Sequence, residues 1–271
     1  MKAIKLASVF AVSAVAVAVS TATFAAEPVF TGTAGLVYQG GEGKDEGTAS
    51  KGEVNIIADT GVVYFDLDMA DGAFVLDEAY VKQGAVSFGD FDGSLSDSAV
   101  MYGGVEEGND ASTNFGATLG VRYAVSDALT VAVEAVEDKP EVYLTAAYTA
   151  AIGGASLTIS GGYGNTEDTT QTFAAGVSVP VTDMVTFQGY AQSGQVEGAD
   201  VGSMGAGVDL ALSEAFVVSA AFYDNTETDV DDSITEVSAY YTAGDITYYA
   251  TTLQYDEDGK DYSLVGVKAS F

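Results

Sequence analysis

Along almost the whole chain, apolar side chains stand at every second position. The clearest run is Phe115, Ala117, Leu119, Val121 and Tyr123, interleaved with Asn114, Gly116, Thr118, Gly120 and Arg122. The same rule holds for Val142, Leu144, Ala146 and Tyr148, for Phe173, Ala175, Val177 and Val179, and for Met204, Ala206, Val208 and Leu210. A period of two puts successive residues on opposite faces of a strand, so each segment is apolar on one face and Thr, Ser, Gln, Gly, Ala or Tyr on the other. Sixteen such segments can be marked, at 28–39, 52–59, 61–69, 77–84, 85–93, 114–125, 128–137, 141–151, 155–163, 172–180, 184–193, 203–212, 215–224, 233–243, 246–254 and 261–271. The connections alternate too. One set is tight (59–61, 126–128, 152–154, 181–183, 213–214, 243–245); the other is mostly longer and acidic (40–51, 70–76, 93–113, 165–171, 194–202, 224–232, 256–260). Strands of about ten residues suit a tilted crossing of an apolar layer. A closed sheet leaves no backbone group unbonded there. The expected fold is all-β: a transmembrane antiparallel β-barrel of about 16 strands, with short turns at one end and long loops at the other. A soluble sandwich or solenoid would share the alternation but would not require alternating loop lengths.

The two ends fit that reading. Lys2 and Lys5 precede an uncharged apolar stretch, 6–22, and Thr23-Phe24-Ala25 offers small residues at a cleavage site. Residues 1–25 are therefore expected to be a Sec-type signal peptide, with a single membrane anchor as the alternative, and 26–271 to be the barrel. At the other end, Leu264, Val265, Val267, Ala269 and Phe271 lead to a final aromatic residue. This resembles the assembly signal of bacterial outer-membrane barrels, and the implied location is the bacterial outer membrane.

Composition removes other classes. The chain has 9 Lys+Arg against 40 Asp+Glu, a net charge of −31, and no Cys, His or Trp. A Ser-His-Asp triad, a thiol nucleophile and a typical zinc site are excluded, and no enzyme is expected. Nucleic acid is not an expected partner, because its phosphates are bound through Lys and Arg.

Residues 75–93, Val-Leu-Asp-Glu-Ala-Tyr-Val-Lys-Gln-Gly-Ala-Val-Ser-Phe-Gly-Asp-Phe-Asp-Gly, resemble a strand pair of the Gram-negative general porins, most closely the alphaproteobacterial type. In that family an Asp-Glu-Ala-Tyr-Val strand and a Phe-Gly strand lead into the third extracellular loop. The resemblance implies a homotrimer of sixteen-stranded barrels, each with its third loop folded inward, passing ions and small hydrophilic solutes by passive diffusion. Two departures stand out. The family's arginine cluster is missing, since Arg122 is the chain's one arginine, and the loop reads Tyr102-Gly103-Gly104-Val105-Glu106-Glu107-Gly108 where enterobacterial porins have Pro-Glu-Phe-Gly-Gly.

Strand phase then places the charges. The third long loop carries Asp97, Glu106, Glu107 and Asp110 and no cation. Val121 and Tyr123 point to lipid, so Arg122 points inward; Ala79 and Val81 point to lipid, so Glu78, Tyr80 and Lys82 point inward; Val265 and Val267 point to lipid, so Lys268 points inward. The acidic loop is expected to face Lys82, Arg122 and Lys268 across the lumen; local carboxylate partners for these cations are the alternative. The acidity of the chain favours cations in the channel. No cofactor is expected. Asp229, Asp231 and Asp232, in an acid-rich loop, offer the oxygen ligands that Ca²⁺ prefers but lack EF-hand spacing. Solvated carboxylates are the default there, and Ca²⁺ bridging to lipopolysaccharide phosphates the alternative. Tyr240 and Tyr249 are candidates to line the lumen, although interface anchoring accounts for most tyrosines of this region. A structural, adhesive or plugged barrel would need a lumen full of bulky or paired charged groups; the inward positions here are mostly small and polar.

Overall fold

A computed structural model describes residues 28–70, 73–100, 115–164, 170–227, 230–256 and 259–270. They form one closed barrel in which every strand pairs antiparallel with its sequence neighbours. The first quarter is β1 (Val29–Gly41), β2 (Lys44–Asp59), β3 (Val63–Ala70) and β4 (Ala73–Gln83). Next come β5 (Val86–Asp90), β6 (Leu119–Ala124), β7 (Leu129–Ala135) and β8 (Val142–Ile152). The second half is β9 (Ala155–Gly164), β10 (Thr170–Thr182), β11 (Val185–Val196), β12 (Ala199–Ser213), β13 (Phe216–Glu227), β14 (Val230–Ala243), β15 (Ile246–Tyr255) and β16 (Tyr262–Ser270). β1 closes the ring on β16, from Thr33↔Ser270 to Gly41↔Tyr262.

The period of two becomes an outside and an inside. Leu144, Tyr163, Phe173, Met204 and Val265 are 61%, 57%, 59%, 49% and 60% exposed, whereas Tyr143, Ala174, Ser203 and Leu264 beside them in sequence are buried. The outer surface is thus an apolar band, with Tyr123, Tyr148, Tyr241 and Tyr248 toward the short-turn end and Tyr163 and Phe173 toward the other. Aromatic rings at both borders of an apolar band suit the two membrane interfaces.

Several expected long loops are strand instead. Residues 40–51 form a hairpin in which β2 begins at Lys44; β11 and β12 run almost into each other around Glu197 and Gly198; and β13 and β14 together extend from Phe216 through to Ala243, apart from 228–229. In these stretches the sequence is mostly Gly, Thr, Ser, Asn, Asp and Glu, with few apolar residues. The hydrophobic period vanishes there although the backbone ladder continues, as in Thr226↔Asp231. Asp231 and Asp232 accordingly lie on β14, while Asp229 lies outside the described residues.

The one long connection among the described elements is 91–118, between β5 and β6. Its ends overturn one expectation. The strand marked at 114–125 starts only at Leu119, because Gly116 takes φ +59° and turns the chain off the wall. Phe115 and Ala117, expected to face lipid, are buried inside instead, 6% and 0% exposed, with Phe115 stacked on Tyr143 at 4.7 Å.

Candidate functional site

The inner wall carries two kinds of surface. On β8 to β12 it is polar: Thr145, Thr158, Ser160, Thr172, Gln192 and Ser203 are all inward and buried. On β11 and from β13 through β16 to β1 it is mixed: Val37, Tyr190, Tyr223, Ile234, Tyr249, Leu253, Tyr262 and Leu264 pack together, with Ser219, Glu236, Ser238 and Thr251 buried on the same inner face. The sequence reading of a lumen mostly small and polar therefore covers only part of the circumference.

The inward tyrosines have a specific seat. Tyr249 pairs across strands with Gly266, Tyr190 with Gly205, and Tyr143 with Gly164. A Cβ on those glycines would fall 2.3, 2.4 and 2.7 Å from the ring opposite. Each ring therefore lies sideways over a bare backbone on the neighbouring strand and does not project across the lumen, which is how a sheet uses a glycine under an aromatic side chain.

The segment after β5 lies on this inner wall. Phe91 is 3% exposed and its N–H donates to the Thr118 carbonyl at 2.9 Å. A 3-10 turn (Leu95–Asp97) follows, capped by Ser94. The Ser94 hydroxyl donates to Glu134 Oε2 at 2.6 Å, and the Leu95 N–H reaches both Glu134 oxygens at 3.2 and 3.3 Å. The Ser160 hydroxyl donates to the Ser96 carbonyl at 2.6 Å and accepts from the Ala99 N–H at 3.1 Å. Gln192 Nε2 donates to Asp97 Oδ1 at 3.2 Å. Glu134, Ser160 and Gln192 alternate along their strands with outward residues, so residues 94–99 are inside the barrel. Val100 packs against the apolar cluster.

Of the acidic loop residues read from the sequence, Asp97 is thus on the inner wall; Glu106, Glu107 and Asp110 lie outside the described residues. The three cations all face inward. Arg122 pairs with Glu134 at 3.0 Å, Lys82 with Asp59 at 2.8 Å, and Lys268 sits 5.4 Å from the Tyr249 ring centre. Glu134, absent from the sequence reading, is 0% exposed and is the hub of the inner segment. Its signal was present: a lone acid at an inward position of β7, where Val131, Ala132 and Val133 precede it. Tyr249, 4% exposed beneath Lys268, is wall packing and offers no open stacking face.

Asp66 and Asp68 share the inner face of β3, and Asp77 joins them because β4 bulges there, between the pairs Asp66↔Glu78 and Leu67↔Leu76. Their carboxylate oxygens come within 4.8 Å of one another, the one such acidic trio among the described residues. Three carboxylates this close create a strongly negative spot on the lumen wall, able to attract a cation through oxygen ligands.

No family model matches the chain, and no curated protein sequence matches it. Solved structures do. OmpT, an outer membrane protein of Vibrio cholerae, superimposes with a TM-score of 0.63 at 15% identity, covering 90% of this chain and 97% of that one. A triple mutant of the Rhodopseudomonas blastica porin gives 0.61 at 15% identity, over 90% and 100%. A porin refined at 1.8 Å gives 0.60 at 14% identity, again over 90% and 100%. At such identities the likeness is one of fold. The chain is a transmembrane antiparallel β-barrel of the porin fold, closed by 16 strands.

Proposed function

We propose that this protein is an outer-membrane porin: a water-filled channel through which ions and small hydrophilic solutes diffuse passively, with a preference for cations. The observation that carries the reading is a closed barrel with one inward segment, 94–100, laid along its polar inner wall while the inward rings lie flat over glycines. On this reading the segment narrows the lumen and leaves a passage for solutes. Cation preference rests on the net charge of −31 and on the Asp66–Asp68–Asp77 trio. Export through a signal peptide at 1–25, assembly as a homotrimer and contact with lipopolysaccharide belong to the same proposal. The absence of His and Cys supports a role without catalysis.

A second reading, a plugged or structural barrel, draws on the packed cluster around Leu253 and Leu264, which are 1% and 2% exposed. Planar-bilayer recording separates the two. Purified protein, shown to be folded by heat-modifiable gel mobility, is placed under a KCl gradient. Current steps in threes with a cation-selective reversal potential support the porin; silence from folded protein refutes it and favours the plug.

A further inference from the structure

Arg122 and Glu134 are both committed to the root of the inward segment. Glu134 Oε1 accepts from Arg122 Nε at 3.1 Å, and a terminal nitrogen of Arg122 donates to the Gly93 carbonyl at 2.5 Å. The other Glu134 contacts are those with Ser94 and Leu95 described above. The guanidinium also lies 4.0 Å from the centre of the Phe91 ring. Below it the packing continues: Phe91 to Tyr80 at 4.8 Å, Tyr80 to Tyr64 at 4.9 Å, and Lys82 over both tyrosines at 5.3 and 5.5 Å, with Asp59 at its ammonium. Two cations and three rings thus make a continuous strut from the short-turn end of β2 up to the point where the chain leaves β5. Glu134 faces Gly120 across the β6–β7 pair, where a Cβ would lie 3.1 Å from its side chain, so the strand beneath leaves room for the carboxylate.

We infer that Arg122 and Glu134 are positioning residues of the channel: together they hold the root of the inward segment against the wall and so set the cross-section left for solutes. This assigns Arg122 a role different from a wall charge in the ion stream. A wall charge needs an exposed head, whereas the Arg122 side chain is 18% exposed and its fork is divided between a carboxylate and a carbonyl. Only a guanidinium spans both acceptors, since a lysine ammonium lacks the planar fork. The inference rests on the porin reading for its consequence, but not for its geometry.

The test exploits a chain with no cysteine. Ala99 is 0% exposed and hydrogen-bonded to Ser160, so an Ala99→Cys thiol reports whether the segment is seated. Reaction of that thiol with a charged, water-soluble methanethiosulfonate is timed in the otherwise unchanged chain and together with Arg122→Lys or Glu134→Gln. Folding of each is checked by heat-modifiable mobility. The expected result is slow labelling in the first and labelling faster by about tenfold or more in both others, as local opening becomes easier. In bilayers, the same substitutions without the thiol should spread the conductance into several levels. Arg122→Lys keeps the charge, so its reversal potential should stay unchanged. The inference is overturned if both substitutions leave labelling and the conductance level as they were, or if Arg122→Gln moves only the reversal potential. A parent protein that is silent in bilayers while labelling still responds would defeat the porin reading and leave the clamp standing.

Discussion

The seat of Tyr249 on Gly266 permits a quantitative prediction. In Gly266→Ala the new methyl would lie 2.3 Å from Cζ and 2.4 Å from the hydroxyl oxygen of Tyr249. The strands are held by ladder bonds on both sides, so the ring is the part free to yield. Overpacking of this kind costs about 1–3 kcal/mol. The displaced ring leaves a position where it is 4% exposed and turns toward the lumen. If about 100 Å² of apolar surface returns to water, about 2.5 kcal/mol is lost at ~25 cal/mol per Å², so the two routes agree on roughly 2 kcal/mol. Tyr249→Ala alone should cost about 3–5 kcal/mol, as large-to-small aromatic changes do. Combined, the pair should cost less than the sum by about 1–2 kcal/mol, because the methyl then meets no ring. The assay is a denaturant titration of refolded protein in detergent, read by gel mobility, with single-channel conductance measured alongside. Gly266→Ala should lower the conductance and Tyr249→Ala should not. Additivity within about 0.5 kcal/mol, with unchanged conductance in Gly266→Ala, would refute the seating of ring on glycine.

Three other outcomes are expected. Neutralising the trio with Asp66→Asn, Asp68→Asn and Asp77→Asn should move the reversal potential toward zero. The shift should be larger in 0.01 M than in 0.1 M salt, where screening lengths are about 30 and 10 Å. Val208→Arg, on the outward band, should cost about 2–4 kcal/mol and impair assembly in lipid vesicles, whereas Gln188→Arg, on the inner face, should assemble normally and reduce cation preference. Gly43→Ala should loosen the hairpin tip that meets residues 260–261, where its Cβ would lie 2.1 Å from the Lys260 carbonyl, lowering stability by about 1–3 kcal/mol in the same titration.

The barrel was legible because alternation needs only local sequence. Val142 to Tyr148 names its own outer face without reference to any partner strand. Register does not have that property. That Tyr249 meets Gly266, or that Glu134 meets Gly120, depends on which residue of the next strand lies opposite. The strand ends within 40–51, up to Glu227 and from Val230 were hidden for another reason: where the sequence is mostly polar, hydrophobic periodicity carries no information about strand. Gly116 and the bulge at Asp77 each reset the phase by a local backbone change, which moved Phe115 indoors and brought Asp77 to Asp66 and Asp68. The candidate cations Lys82, Arg122 and Lys268 stand beside inner-wall groups, Lys82 over Tyr64 and Tyr80, Arg122 over Phe91 and Lys268 over Tyr249. Their carboxylate partners sit on other wall strands, Glu134 on the strand next to that of Arg122 and Asp59 two strands from Lys82, and phase alone identifies a face but no neighbour.

The seam between β1 and β16 governs how such a molecule comes into being. Its ladder, from Thr33↔Ser270 onward, joins the two most distant strands in the ring, so it carries the largest loop-closure entropy of any pair. Everything between can form neighbouring hairpins first, and the ring then waits on one zipping event. Until it happens the sheet has two raw edges, each able to template a wrong partner. A defect in Gly35 or Leu264, at the seam itself, is thus a hazard of biogenesis as well as of the finished protein: it lengthens the interval in which neighbouring chains can interlock.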